Sequence, residues 1–333
     1  MTKIGINGFG RIGRSVFRIL AERHDLEITA INDLFENRQL AYLLKYDTVM
    51  GVLDKQVSSD EQALYVDGKR TAMTGERDPA AIPWGDLGVG IVIESTGVFT
   101  RREQIARHVA AGAGKVILTV PAKDEIDATV VVGVNDSALR PEHRLVSCAS
   151  CTTNCLAPLV KILDDSFGIE EGFMTTVHAY TNDQRLADVP HKDFRRSRAA
   201  AQNIIPTTTG AARTVGKVMP HLKGRLDGMA MRVPVPDGSI VDFTARLRQR
   251  PDTPEVNAAV REAAAGPLAK IVEYSEVPLV STDIIGNPHS SIFDALSTDA
   301  VGDGFVQVVA WYDNEWGYSN RVVDLIDRLV AVG

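Results

Sequence analysis

Lys3–Ser15 reads KIGINGFGRIGRS. Its first half is a short apolar run of strand type. Its second half opens a helix, expected over Arg11–His24, with Val16, Ile19 and Leu20 on one face. Between the two, Gly8, Gly10 and Gly13 stand in G-x-G-x-x-G spacing. The spacing alone is weak, because glycine is common. Following a strand and opening a helix, it has the context that a dinucleotide site requires. Gly8 permits the tight turn, Gly10 lets the backbone approach a pyrophosphate, and Gly13 allows close helix–strand packing. The helix N-terminus adds free N–H donors and the positive end of a dipole. About 20 residues beyond Gly13, at the end of a second strand-like run, LEITAIND, stands Asp33. A carboxylate there accepts hydrogen bonds from ribose hydroxyls and repels a 2′-phosphate, which favours NAD over NADP.

Working outward, the same rhythm continues. GVGIVIES, KVILTV, ATVVVGV and RLVSC read as strands, and RREQIARHVAAGA as a helix between two of them. Unbroken apolar runs suit strands covered on both faces, so the first half is expected to be an α/β, doubly wound parallel sheet. After Cys151 the texture changes. GFMTTVHAY, GMAMRVPVP, GSIVDFTARL and FVQVVAWYD are longer and partly alternating, with a helical pattern at Glu255–Ala265. That predicts an α+β domain with a mixed sheet. The terminal SNRVVDLIDRLVAV is an amphipathic helix with Val322, Leu325, Ile326, Leu329 and Val330 on its apolar face. The expected division is 1–150 with helix 316–333 as a nucleotide-binding domain, and 151–315 as a catalytic domain.

The bulk composition agrees with this scheme. At about 150 residues per domain, 333 residues suggest two domains. Hydrophobic residues at 44% and charged residues at 24% are those of a soluble globular chain. A net charge of −7 argues against general affinity for nucleic acid. No apolar run reaches the roughly 18 residues of a membrane span, and the N-terminal residues lack a signal-peptide pattern. Three cysteines, odd and sparse, fit a reducing compartment, so a cytoplasmic location is expected.

All three cysteines fall in SCASCTTNC, Ser147–Cys155. A structural zinc site needs four ligands, and neither a second CxxC nor a nearby histidine is present, so no metal is expected. The CASC pair lacks a thioredoxin-like setting. TTNCLAPLVKIL has the look of a helix starting near Cys151, where free N–H groups and the dipole stabilise a thiolate. Pro158 is awkward inside such a helix. Cys155 reads as a small buried residue. Of seven histidines, His178 is the best candidate base, because it sits in the apolar run TTVHAY. His24, His108, His143, His221 and His289 read as surface residues.

INGFGRIGR, ASCTTNCLAP, YTNDQRL, PHKD, IIPTTTGAA, PHSSIFDALST and WYDNEWGYS, in this order and spacing, resemble the phosphorylating, NAD-dependent glyceraldehyde-3-phosphate dehydrogenase family of bacterial type over essentially the full length. The resemblance implies that Cys151 attacks the aldehyde of D-glyceraldehyde 3-phosphate to form a thiohemiacetal. It implies that His178 is the base, that the oxidised intermediate is a thioester, and that inorganic phosphate releases it as 1,3-bisphosphoglycerate. It places Ser150, Thr152, Thr209 and Gly210 around the attacking phosphate, Thr181 and Arg232 at the substrate phosphate, and Arg196 near both. On the cofactor side it places Arg11 and Ile12 at the pyrophosphate, Asp33 at the ribose, Arg77, Thr96 and Thr119 around the adenine and ribose, and Asn314 at the nicotinamide carboxamide. Val189 and Pro190 resemble the NAD-preferring pattern. An S-loop over Thr181–Gln202 implies a subunit interface and a homotetramer.

The chain departs from the family pattern at Cys148, where Asn is usual, at Thr119-Val120, at Met50 and at Asp237-Gly238-Ser239. Cys148, three residues before the nucleophile, has two readings: neutral drift from Asn, or a changed sensitivity to thiol-directed electrophiles of the kind a variant isoform would require. Erythrose-4-phosphate dehydrogenase is the nearest rival within the family. A cysteine hydrolase has no need of the nucleotide motif, and a scaffolding role would not keep both Cys151 and His178.

Overall fold

The computed structural model describes residues 1–333. They form two units: Met1–Val130 with Asp136–Ala149 and Ser319–Gly333, and Val131–Asn135 with Ser150–Tyr318.

In the first unit β1 (Thr2–Asn7) leads through the glycine turn into α1 (Arg11–Leu20), and β2 (Leu26–Asn32) follows. The helix stops four residues short of the expected His24; Ala21 bonds back to its last turn. Val16 and Leu20 are buried as the pattern requires. Next come α2 (Asn37–Lys45), the small ribbon β3 (Tyr46–Asp47) and β4 (Gly51–Val52), then β5 (Val57–Ser59), β6 (Ala63–Val66) and β7 (Lys69–Thr74). The unit continues with β8 (Ile91–Glu94), α3 (Arg102–Ala110), β9 (Lys115–Leu118), β10 (Ala128–Thr129) and β11 (Leu145–Ser147). The main sheet has the order β10-β11-β9-β8-β1-β2-β7-β6-β5 and is parallel except at β5 and β6. Chain order reverses across β1, which has β2 on one side and β8 on the other. The crevice at the C-terminal ends of such strands is where α/β sheets bind ligands. Trp84, Val92, Ile105, Val116, Leu118 and Leu145 form the core between α3 and the sheet.

ATVVVGV does not become one strand. Only Ala128 and Thr129 pair with β11, and the chain then turns, with Val131 N–H held by Asn135 Oδ1 at 2.8 Å. Val130–Val132 are buried all the same, so apolarity here marks core and not pairing. The C-terminal helix α7 (Trp316–Val332) buries Val322, Leu325, Ile326 and Leu329, while Val330 is exposed, its place taken by Val323.

The second unit starts with α4 (Cys151–Phe167) and β12 (Ile169–Ala179). β13 (Ile205–Thr208), α5 (Ala211–Val218), β14 (Leu226–Val233) and β15 (Ser239–Leu247) follow, then α6 (Thr253–Ala265), β16 (Val272–Ser275), β17 (Ser291–Asp294), β18 (Asp299–Val301) and β19 (Phe305–Tyr312). The sheet order is β13-β14-β12-β15-β19-β17-β16, with β18 on β19. β12 is parallel to β14 and antiparallel to β15, so the sheet is mixed. α4 packs on this sheet and against α5 and α6. Along β12, side chains alternate. Met174, Thr176 and His178 are buried on the face that meets α4.

Candidate active site

The helix that carries the nucleophile has an unusual entry. Ala149 adopts φ 57, a left-handed conformation rare for a residue with a Cβ. Ser150 is then extended and caps α4, its Oγ accepting from Thr153 N–H at 3.1 Å. Cys151 thereby becomes the first helical residue, partly exposed, where unsatisfied N–H groups and the dipole favour a thiolate. Pro158 lies inside α4 and removes the N–H that would have bonded the Asn154 carbonyl. The helix continues because its neighbours Thr152 to Val160 are all buried, so packing outweighs the lost bond. Cys155 is fully buried and its thiol is pushed well up by that burial, which fits a packing role.

His178 Nε2 lies 3.4 Å from Cys151 Sγ. Strand register supplies the ring's other neighbour, because His178 on β12 is level with Arg232 on β14. Nδ1 is 2.7 Å from the Ala179 carbonyl, and Arg232 Nη1 is 2.7 Å from Nδ1 and 2.8 Å from the same carbonyl. Two proton placements satisfy this triangle. With Nδ1–H donating to Ala179, Nε2 accepts from the thiol. With Nδ1 accepting from Arg232, Nε2–H faces a thiolate. Burial, and then the Arg232 charge, push His178 down to about 3 against the pull of Ala179. Burial pushes the Cys151 thiol up, opposed by Arg232 and by Thr152. Both shifts favour the uncharged forms of the pair. A buried ring next to a guanidinium resists protonation, so a positive charge on His178 is disfavoured without substrate. The standing positive charge is Arg232.

Tyr312 ties the two sides together. Its hydroxyl lies 2.9 Å from Thr152 Oγ1 on α4 and 2.8 Å from Thr176 Oγ1 on β12, and its ring meets His178 edge-on at 5.9 Å. Tyr312 lies within WYDNEWGYS, but nothing in that stretch assigns it a role; its partners Thr152 and Thr176 are distant in the chain. The same contact turns the Thr152 hydroxyl into the core and leaves its backbone N–H, at the helix start, as the group suited to an anion.

The other expected phosphate residues have local partners of their own. Arg196 donates through Nε to Thr207 at 2.9 Å and pairs with Asp183. Its charge acts on Arg232 as well. Thr181 N–H donates to Gln184 Oε1 at 3.2 Å. Thr209 Oγ1 accepts from Ala211 N–H at 3.2 Å, and Gly210 caps α5 with open space about its Cα.

Asn314 follows β19, and its Oδ1 accepts from Ser239 Oγ at 2.6 Å. Ser239 Oγ in turn accepts from Ala179 N–H at 3.0 Å, next to His178. Ser239 thus links the Asn314 amide to the backbone beside His178. Burial pushes the Asp313 carboxyl up, opposed by the N–H groups of Gly286, Trp316 and Glu315 that it accepts from at 2.7, 2.5 and 2.8 Å. Asp237, fully buried, keeps its proton: burial, then Asp313 and Glu315, raise it to about 9.

In the first unit the glycines behave as their spacing predicts. Gly8 has φ +90, and a Cβ there would lie 2.7 Å from Thr96 N. A Cβ on Gly13 would lie 2.2 Å from Gly8 O. Gly10 caps α1, and a Cβ there would meet nothing within 4 Å, so the first turn, with Arg11 and Ile12, faces open space. Arg11 forks onto Asp47 at 2.9 and 3.1 Å, which leaves its N–H and not its guanidinium for a pyrophosphate. Asp33 accepts from Phe9 N–H at 2.7 Å and Phe35 N–H at 3.1 Å, half-buried with acceptor capacity remaining. Arg77 is exposed, Thr96 half-buried, and Thr119 buried with its hydroxyl on the Glu94 carbonyl at 3.0 Å. An open helix N-terminus, a backbone cradle and a carboxylate two strands' ends apart are the groups a dinucleotide needs, so the residues fit one. Met50 offers its carbonyl to Arg18, so its side chain identity is of no consequence there.

Comparison with known proteins follows the same division. Residues 2–102 match the family model described as glyceraldehyde 3-phosphate dehydrogenase, NAD binding domain, and 150–314 match that enzyme's C-terminal domain. The chain is 56% identical over 332 residues to glyceraldehyde-3-phosphate dehydrogenase of Geobacillus stearothermophilus, covering 99% of both chains. It is 57% identical over 332 residues to glyceraldehyde-3-phosphate dehydrogenase 1 of Bacillus subtilis (strain 168), again 99% of both. With the Streptomyces coelicolor enzyme of that name it shares 56% over 326 residues, 97% of both.

Proposed function

Because the chain belongs to the glyceraldehyde 3-phosphate dehydrogenase family, we propose that it oxidises D-glyceraldehyde 3-phosphate and couples the oxidation to inorganic phosphate, yielding 1,3-bisphosphoglycerate. The observation that carries this reading is the 3.4 Å contact between Cys151 Sγ, at a capped helix start, and His178 Nε2. The first unit is read as the NAD-binding domain and the second as the catalytic one.

Cys151 attacks the aldehyde carbon. An S–C bond forms, and the thiol proton reaches the former carbonyl oxygen through Nε2, giving a thiohemiacetal. NAD, when bound, supplies the hydride acceptor. As the carbon is oxidised, Nε2 takes the hydroxyl proton, and the ring's charge is shared through Nδ1–H with the Ala179 carbonyl. Phosphate oxygen then attacks the thioester carbon. The C–S bond breaks and Cys151 leaves as a thiolate, stabilised by the imidazolium and Arg232. Arg232, with Thr181, suits the substrate phosphate. Ser150, the Thr152 N–H, Thr209 and Gly210 suit the attacking one, with Arg196 near both. Gly8, Gly10, Arg11, Ile12, Gly13 and Asp33 would hold the pyrophosphate and ribose, Arg77, Thr96 and Thr119 the adenosine, and the Asn314 amide a carboxamide.

In the S-loop, Leu186 and Phe194 are each 86% exposed, an apolar display that supports burial between copies in a homotetramer. No helix is long and apolar enough to cross a membrane, and a cytoplasmic site of action follows from the glycolytic reading. A steady-state assay with NAD or NADP, with and without phosphate, tests the whole. NADH formation should require phosphate and disappear in Cys151→Ser. Survival of activity in that variant would overturn the mechanism, and faster turnover of erythrose 4-phosphate would overturn the substrate.

A further inference from the structure

Glu94, at the C-terminal end of β8, is fully buried and was absent from every motif. Its Oε2 accepts from Asn7 Nδ2 at 2.6 Å and faces His108 Nε2 at 2.9 Å. Its Oε1 accepts from both the N–H and the hydroxyl of Thr96. Trp84 Nε1 can only donate, and it donates to His108 Nδ1 at 2.9 Å. The imidazole proton is therefore on Nε2 and points at Glu94. Four donors converge on the two oxygens, so the group serves as a carboxylate. His108, expected at the surface, is fully buried, because Trp84 and Glu94 supply the polar partners that a helix in a polar sequence context would otherwise find in water.

The network reaches further. The Glu94 carbonyl accepts from Thr119 Oγ1 and N–H at 3.0 and 3.1 Å. Asn7 Oδ1 accepts from Asn32 Nδ2 at 2.8 Å, and Asn32 holds both the N–H and the carbonyl of Glu76, at 2.8 and 2.9 Å. Asn7 precedes Gly8, Asn32 precedes Asp33, and Glu76 precedes Arg77. The Gly8 and Thr96 segments are thus tied directly to one carboxylate, Asn32 beside Asp33 through the Asn7 amide, and Glu76 beside Arg77 through both amides, while Thr119 is held by the Glu94 main chain.

We propose that Glu94 is the positioning residue of the nucleotide site, a buried carboxylate that sets the Gly8 and Thr96 segments in their binding geometry before the dinucleotide arrives. This rests on the reading of the first unit as NAD-binding. Glutamine at 94 is isosteric but presents an NH2 to two donors that the Trp84 and Asn32 contacts prevent from reversing roles.

Calorimetric titration of wild type and Glu94→Gln with NAD tests the proposal. The variant should bind NAD about tenfold more weakly, a difference of about 1.4 kcal/mol. Its KM for NAD should rise, while kcat at saturating NAD and KM for phosphate stay within about twofold of wild type. Equal NAD affinity in the two proteins would overturn it. Amide hydrogen exchange of the wild type without NAD needs no variant. The Thr96 amide should be protected as strongly as the β8 amides. Rapid exchange that slows only on adding NAD would overturn the preset geometry. A wild type that takes up no NAD would overturn both the proposal and the cofactor reading beneath it.

Discussion

His178 and Arg232 stand level on neighbouring parallel strands, and both direct a nitrogen at the carbonyl of Ala179. A base placed so close to a fixed cation is held neutral, ready to accept a proton but costly to charge without substrate. The arrangement has a signature in stability.

The folded-state value of His178, about 3, lies below its ordinary 6.5. The unfolded chain thus binds the proton that the folded one refuses. The resulting stability is fully present above about pH 6.5 and is lost as pH falls toward 3. Chemical denaturation at pH 7 and pH 4.5 should show a larger loss for wild type than for His178→Gln. Parallel losses would show that the ring is not held neutral by its surroundings.

Asp237 has the opposite sign. Its folded-state value, about 9, lies above the ordinary 3.8, so its contribution is present at low pH and is lost as pH rises from about 4 toward 9. Asparagine at 237 can still accept from Gly238 and donate to Asp313 without titrating. Asp237→Asn should be more stable than wild type at pH 8, by about 1 kcal/mol or roughly 2–4 °C in Tm. The gain should shrink toward pH 5. A destabilised variant at pH 8 would contradict the raised value of Asp237.

Gly10 and Gly13 share one motif but should fail differently. Gly10→Ala meets no atom of the protein, so its Tm should be unchanged while NAD affinity falls by at least tenfold. Gly13→Ala drives a Cβ into the Gly8 carbonyl and should destabilise the fold by about 1–3 kcal/mol. Differential scanning calorimetry with NAD titration separates the two. Undiminished affinity in Gly10→Ala would argue against a pyrophosphate at that turn.

Of the three thiols only Cys151 reaches solvent; Cys148 and Cys155 are fully buried. Brief iodoacetate treatment of the native protein should give one adduct, at Cys151, read by peptide mass spectrometry. Cys148 therefore cannot act as a competing target, and any effect it has on electrophiles must be indirect. Inactivation rates by an epoxide or iodoacetate should differ between wild type and Cys148→Asn, and matched rates would remove Cys148 from the account.

The nucleotide crevice was legible because its chemistry lies in the backbone. Gly8 and Gly13 mark places where a Cβ cannot fit, and such places show in a sequence. Cys151 was legible through the helix behind it, and His178 through its incongruity in an apolar run. Glu94, His108 and Tyr312 were not. Their partners, Asn7, Trp84 and Thr176, are distant in the chain and meet only after the sheets form. A buried polar residue looks like a surface one until those partners are known. The partner of the Thr152 hydroxyl was hidden for the same reason, and ATVVVGV was misjudged as one strand because apolar runs report burial more faithfully than pairing.

Ala149 bears on how this protein could change. A left-handed residue with a Cβ carries roughly 1–2 kcal/mol of strain. Glycine would remove that strain, so a search for thermostable variants would be drawn to this position. Glycine would also widen the conformations open to the backbone just before Ser150 and Cys151. The substitution that most readily hardens the molecule against heat is then one that loosens the aim of its nucleophile, and selection for activity has reason to keep the methyl group where it is.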